Sequence, residues 1–213
     1  MLKSRLLGMA AALVLLPAAA LAAPPADLDS YVEGLLKATG APGMSVSIVE
    51  DGKTTFVKGF GVRRLGAPEK IDAHTVSPTG STGKAFTVAA LATLVDAGKI
   101  KWDDHVIDHL PWFQMYDPWV TREMTIRDLL VHRSGLGLGQ GDLLFVPRSN
   151  ITRAEAVRRL RYLKPATSFR SGYAYDNILY MVAGQLIEAV TGQTWEDYVR
   201  EHVFAAAGMT NST

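Results

Sequence analysis

The sequence predicts an α/β chain of the α+β type, in which an antiparallel hairpin precedes a series of helices. Two observations carry this. Residues 44–49 and 54–60 are apolar-rich runs on either side of Asp51-Gly52, a dipeptide suited to a two-residue hairpin turn. Beyond them, apolar runs at helical spacing stop at Gly98, Gly192 and Gly208, where glycine can take the left-handed conformation that ends a helix.

Taken in order, the chain opens with Lys3 and Arg5, an apolar run at 6–16, Pro17, and Ala20-Leu21-Ala22. That charge–apolar–small order is the pattern of a secretory signal peptide over residues 1–22, too short and wrongly flanked for a membrane span. The remainder, 23–213, then forms part of one domain, periplasmic or secreted. Without Lys3 and Arg5 the chain keeps 20 of its 22 Lys+Arg against 21 Asp+Glu. Such a balance offers nothing to nucleic acid or to an anionic membrane. With no cysteine there is neither a disulfide nor a lipid anchor on cysteine, so an exported chain must rely on its core.

Leu28, Tyr31, Val32, Leu35 and Leu36 keep helical spacing up to Gly40. After the hairpin, 63–75 reads as an irregular lead-in. Residues 85–95 are apolar on nearly every side and read as a helix buried in a core. Thr125 and Asp128 open a short helix to Val131, and Thr152 with Glu155 caps another that carries Arg153, Arg158, Arg159 and Arg161. That arginine run reads as a solvated face. Residues 177–190 form a strongly apolar helix, and Thr194 with Asp197 opens the last one.

The chemistry gathers at Gly80-Ser81-Thr82-Gly83-Lys84. Residues three apart on a helix share a face, so Lys84 can touch Ser81. A lysine stripped of water in a core has its ammonium form disfavoured and can accept a proton from a serine. Four residues of this kind also arise by chance, and the bland alternative makes Ser81 an N-cap and Lys84 a solvated residue. A second stretch, Tyr175-Asp176-Asn177, stands at the mouth of the 177–190 helix. A phenol beside a lysine has its anion favoured, and Asn177 can offer an amide donor to a carbonyl. Here the bland alternative is core packing for Tyr175 and helix capping for Asn177.

Other candidates are weaker. His105 and His109 have metal-binding spacing, but Val106 stands where a zinc protease has glutamate. His132 reads as a hydrogen-bonding residue at a helix end. The glycine run 135–141 reads as a flexible surface loop, since it lacks both the spacing and the preceding strand of a dinucleotide site. No cofactor and no metal are called for.

Together these stretches resemble the penicillin-recognising serine hydrolases, in the branch of class C β-lactamases, DD-peptidases and esterases. Residues 80–87, Leu129-Leu130-Val131-His132-Arg133-Ser134-Gly135-Leu136, Tyr175-Asp176-Asn177, 183–192 and Gly208-Met209 carry the resemblance in order and spacing. It implies a β-lactamase/transpeptidase-like fold: an antiparallel sheet flanked by helices, plus an all-helical region that carries the tyrosine. It also implies that Ser81 is acylated, Lys84 exchanges its proton, Tyr175 is the shared base and Asn177 contacts the substrate amide. The partner would be a small-molecule or peptide acyl substrate, such as a cell-wall peptide or a β-lactam. The family's third element, a Lys-Thr-Gly, Lys-Ser-Gly or His-x-Gly triplet on a late strand, has no match after Tyr175. The expectation is therefore a C-terminally truncated domain lacking later strands and the closing helix. Loss of one oxyanion-hole donor costs on the order of 3–4 kcal/mol in the transition state. The competing reading is an inactive remnant or a ligand-binding module.

Overall fold

The computed structural model describes residues 24–148 and 150–213; the signal-peptide reading of 1–22 lies outside them. Contacts divide the chain into two compact units, one ending at Thr75 and the other spanning Val76–Thr213.

In the first unit, helix α1 (Leu28–Thr39) ends on Gly40 at φ 69°, with the Gly40 N–H on the Leu36 carbonyl. Strands β1 (Gly43–Glu50) and β2 (Lys53–Gly61) pair antiparallel, with Met44 opposite Phe60 and Ile48 opposite Phe56. Asp51 and Gly52 both have positive φ, 49° and 73°, as the twist of a two-residue hairpin turn requires. Met44, Val46 and Ile48 are half-buried while Ser45, Ser47 and Val49 are exposed, so one face of the ribbon is covered. The lead-in at 63–75 folds back on the hairpin through a bridge between Val62 and Lys70. A Cβ on Gly59 would stand 2.3 Å from the Ile71 carbonyl oxygen, so only glycine permits that approach.

The second unit is helical. Its elements are α2 (Lys84–Asp96), the short α3 (Val106–His109) and α4 (Pro118–Glu123), α5 (Arg153–Arg158), α6 (Ile178–Thr191) and α7 (Trp195–Val199). Leu91 and Leu94 of α2, Val157 of α5, and Ile178, Leu179, Val182, Leu186 and Ile187 of α6 are fully buried in one core. Burying a side chain of that size contributes roughly 1.5–3 kcal/mol, so α6, apolar almost all round, is the centre of the unit. Polar ties fix its neighbours: Trp195 Nε1 donates to Thr87 Oγ1 (3.2 Å), Tyr180 Oη to the Leu130 carbonyl (3.0 Å), and Thr93 Oγ1 meets Tyr198 Oη (2.9 Å). The caps are as the sequence predicts. Thr152 accepts from Glu155 N, Thr194 from Asp197 N, and Gly192 ends α6 at φ 73°. Among the described residues no helix is long and apolar enough to cross a membrane.

Four expectations need correction. Residues 125–131 are not a helix: only a 3-10 turn forms, at Arg127–Leu129, although Thr125 and Asp128 do exchange capping hydrogen bonds. Helix α2 buries one face, with Thr87, Ala90, Leu91 and Leu94 inside, Ala85 and Asp96 exposed and the rest half-buried. The arginine run is not all solvated. Arg153 is ion-paired to Glu188 on α6 and to Glu196 on α7 (2.6 Å), tying three helices together. The glycine run is anchored rather than loose: Leu136 is buried, the Gly135 carbonyl accepts from Ala166 N, and Gly139 N donates to the Tyr175 carbonyl.

Asp128 is a buried carboxylate held by cations. Its carboxylate takes Arg170 Nη2 at 2.6 Å, Arg133 Nε at 2.8 Å and Thr125 Oγ1 at 2.7 Å. Burial opposes the charge, but Arg170, Thr125 and Arg133 outweigh it and hold the pKa at about 2. Because the folded value lies below the unfolded one, this contribution is complete above about pH 4 and is lost as pH falls through 2. Asp128→Asn is accordingly expected to lower stability at neutral pH by on the order of 2 kcal/mol, with the difference from wild type closing toward pH 2. Urea unfolding across that range tests it; an equal loss at every pH would remove the carboxylate's charge from the explanation.

Candidate active site

Ser81 sits in a 3-10 turn, Gly80–Gly83, that runs directly into α2, and not on the α-helix itself. The turn still brings the serine and lysine together. Lys84 Nζ donates to Ser81 Oγ at 3.3 Å and to Asn177 Oδ1 at 2.6 Å. Lys84 is half-buried, not sealed in a core as the apolar run suggested, because it lies at the first residue of α2, where the helix emerges. Its Nζ also stands 4.8 Å from the centre of the Tyr175 ring and 5.1 Å from that of Tyr180.

Asn177 occupies the N-cap position of α6 but makes no cap hydrogen bond. Its side chain is committed elsewhere, with Oδ1 on Lys84 and Nδ2 donating to Asp142 Oδ2 at 2.9 Å. The Tyr175 hydroxyl oxygen is buried and has no partner of good hydrogen-bond geometry. The Lys84 and Ser81 side chains beside it nonetheless hold the phenol below the ordinary tyrosine range. A phenol of that kind gives up its proton more readily than an ordinary tyrosine, and only its phenolate could accept one. All four residues read from the sequence, Ser81, Lys84, Tyr175 and Asn177, therefore come together within the second unit.

One further residue braces the tyrosine. His132, at φ 58°, accepts on Nδ1 from the Asp176 backbone N–H (3.2 Å) and lays its ring 4.4 Å from that of Tyr175. Burial first, then the charge of Lys84, pushes its pKa down, which keeps a neutral ring against the phenol. The hydrogen-bonding role read for His132 is thus what the structure shows, though its contact with Tyr175 was not legible. His105 and His109 instead face different carboxylates, those of Asp108 (3.8 Å) and Asp104 (3.2 Å).

Asp176 is wholly buried, with Oδ1 unpartnered and Oδ2 accepting from Ser134 Oγ at 3.3 Å. Burial lifts its pKa to about 6, against the pull of the Ser134 hydroxyl and the Leu179 N–H. A folded pKa above the unfolded one favours the fold fully below about pH 4, and that advantage disappears as pH rises through 6. Asp176→Asn keeps the shape and an acceptor for Ser134. It should stabilise the chain by on the order of 3 kcal/mol at pH 8 and by almost nothing at pH 4. Thermal unfolding at the two pH values decides this; an unchanged midpoint at pH 8 would mean the carboxylate ionises without penalty.

A pocket of about 410 Å³ opens beside the serine, lined by Gly80, Ser81, Lys84, Phe145, Arg153, Asn177 and Trp195 among others. A second cavity of about 460 Å³, between Trp119, Phe169 and Leu163, touches none of Ser81, Lys84 or Tyr175. Of these two the smaller pocket is the better site, because a hydroxyl, a cation and an amide converge in it and not in the other.

The serine, lysine and tyrosine thus lie side by side in the second unit of an α+β chain. The family model described as Beta-lactamase matches residues 28–213, and the chain belongs to that family. It is 34% identical over 203 residues to a protein named unguisins hydrolase ungD' from Aspergillus campestris, covering 87% of this chain and 36% of that one. It is 30% identical over 172 residues to penicillin-binding protein 4 of Amycolatopsis lactamdurans, covering 80% and 44%. Among solved structures it resembles the octameric penicillin-binding protein homologue from Pyrococcus abyssi, with a TM-score of 0.74 and 27% identity over 86% of this chain and 43% of that one. It also resembles the D-amino acid amidase of Ochrobactrum anthropi SV3, with a TM-score of 0.71 and 25% identity over 86% and 51%. The chain thus spans between about a third and a half of the length of these relatives. The β-lactamase/transpeptidase-like fold is the one these matches share.

Proposed function

We propose that this chain belongs to an exported serine hydrolase that opens an amide, lactam or ester through an acyl-enzyme on Ser81. The observation that carries the reading is the contact of Ser81 Oγ with Lys84 Nζ at 3.3 Å, beside the buried and unpartnered Tyr175 hydroxyl. In the proposed reaction Ser81 Oγ bonds to the substrate's carbonyl carbon while its proton passes to Tyr175. The C–N or C–O bond then breaks and the leaving group takes that proton. Water then attacks the acyl carbonyl and gives a proton to Tyr175; the ester C–O bond to Ser81 breaks, Tyr175 passes that proton to Ser81 Oγ, and the acid leaves. Lys84 favours the anionic phenol throughout, and the Asn177 N–H not used by Asp142 is free to hold a substrate carbonyl. The names of the relatives, a hydrolase, a penicillin-binding protein and an amidase, support peptide-like amides and β-lactams as the substrate class.

Export rests on residues 1–22, read as a signal peptide that leaves 23–213 in the periplasm or medium. Expression with an affinity tag at the C-terminus and N-terminal sequencing of the exported product tests this; a product that starts at Met1 would overturn it. The catalytic reading is tested by labelling residues 23–213 with a fluorescent fluorophosphonate and locating the adduct by peptide mass spectrometry. An adduct on Ser81 is the expected result, and an adduct on any other serine would refute the assignment.

A further inference from the structure

Asp142, the partner of Asn177, occupies an unusual place. It follows the glycine run, 35 residues before Asn177 in sequence, yet its Oδ2 accepts from Asn177 Nδ2 at 2.9 Å. The backbone is shaped to bring it there. Gly139 and Gly141 have φ 64° and 95°, Gly139 N donates to the Tyr175 carbonyl at 2.8 Å, and Asp142 N donates to the Gly139 carbonyl at 3.1 Å. At Gly139 even a Cβ would stand 3.3 Å from Asp142 Oδ2, tighter than ordinary contact.

We propose that Asp142 is a positioning residue of the Ser81 site: its carboxylate holds the Asn177 amide with the oxygen turned to Lys84 and the nitrogen turned away from it. The proposal rests on the reading of Ser81 as nucleophile.

The physical case is one of matched donors and acceptors. A carboxamide can turn over about its last bond with little change in shape, exchanging oxygen for NH2. With the oxygen toward Lys84, an acceptor meets an amine that donates, at 2.6 Å. Turned over, the NH2 would face those donors, and the oxygen would face a carboxylate that only accepts. Lys84 and Asp142 therefore select the same orientation from opposite ends of one amide. One of the two Asn177 N–H bonds remains for substrate, and Lys84 is held at the height of Ser81 Oγ.

Asp142 is also costly where it stands. Its Oδ1 is buried with no hydrogen-bond partner, and an unsatisfied buried oxygen opposes folding. A smaller or neutral residue would fit the loop with less penalty. The carboxylate is explained by what it does to Asn177, not by what it adds to the fold.

The test uses residues 23–213 and the fluorophosphonate probe, measuring the maximal labelling rate separately from the probe concentration at half-maximal rate. Misplacement of a reacting group by about 1 Å can cost on the order of 10²-fold. Asp142→Ala is expected to cut the maximal rate by about ten- to a hundredfold, to leave the half-maximal concentration within about twofold, and to keep or raise the unfolding midpoint. Asp142→Asn, which retains an acceptor oxygen for Asn177, should recover at least half of that loss on a logarithmic scale. A wild-type maximal rate in Asp142→Ala overturns the proposal, as does a loss that tracks a fall in the unfolding midpoint. Ser81→Ala in the same series separates the two readings. If Ser81→Ala is silent while Asp142→Ala labels normally, only the role of Asp142 fails. If Ser81→Ala labels like wild type, or the wild type takes no label, the reading of Ser81 fails and this one with it.

Discussion

Ser81→Ala should abolish covalent labelling and hydrolysis together while leaving the thermal midpoint within a few degrees. Ser81 is exposed on a 3-10 turn, and among the described residues the hydrogen bond to its hydroxyl comes from the Lys84 amine, which keeps Asn177 as a partner when the hydroxyl is gone. Such a substitution usually changes stability by no more than about 0.5 kcal/mol. The kinetic effect lies at the other extreme, because removing the nucleophile of a serine hydrolase takes kcat down by on the order of 10⁶-fold. A complete loss of rate with an intact fold is a combination that a structural serine would not produce. Residual turnover near the wild-type rate would place the nucleophile elsewhere.

Tyr175→Phe is expected to slow acylation by about 10²–10⁴-fold, the range that general acid–base catalysis supplies. Its pH dependence separates a base from a packing residue. Lys84, then Ser81, holds the Tyr175 hydroxyl below the ordinary tyrosine range. The wild-type rate should therefore rise with pH along a limb that lies below pH 10, as the phenol loses its proton. In Tyr175→Phe that limb disappears. In Lys84→Ala the cation that favours the phenolate is gone, so the limb should move up toward the ordinary tyrosine value while the rate falls. A limb that stays in place in both variants would show that some other group, His132 being the nearest titrating ring, sets the profile. A neutral Tyr175→Phe would make the residue a core tyrosine packed on His132.

Much of this protein was legible in the sequence, and the legible parts share a cause. The Asp51-Gly52 turn, the glycines that end α1 and α6, and the Thr152 and Thr194 caps depend on residues within four positions of one another. So does the contact of Ser81 with Lys84, three apart, which survives even though a 3-10 turn replaces the expected helix. Backbone geometry over so short a span leaves few alternatives, and residue type selects among them. The resemblance to penicillin-recognising hydrolases added Tyr175 and Asn177, which spacing alone would have left as packing and capping.

What tertiary structure alone decided spans longer separations. Lys84 reaches Asn177 across 93 positions, Asp142 reaches Asn177 across 35, and Asp176 meets Ser134 and His132 across 42 and 44. None of these pairs leaves a period or a cap in the sequence, so the glycine run read as a loose loop and Arg153 as a solvated charge. Packing α6 against α2 and α5 brings these groups to one place. Burial then sets their behaviour, raising Asp176 to about 6 while Arg170 and Arg133 help to hold Asp128 near 2. Both are aspartates with the same intrinsic acidity. The difference is that Asp128 is buried among cations, whereas Asp176 is buried with a hydroxyl and a backbone N–H, and only the fold could assign those neighbours.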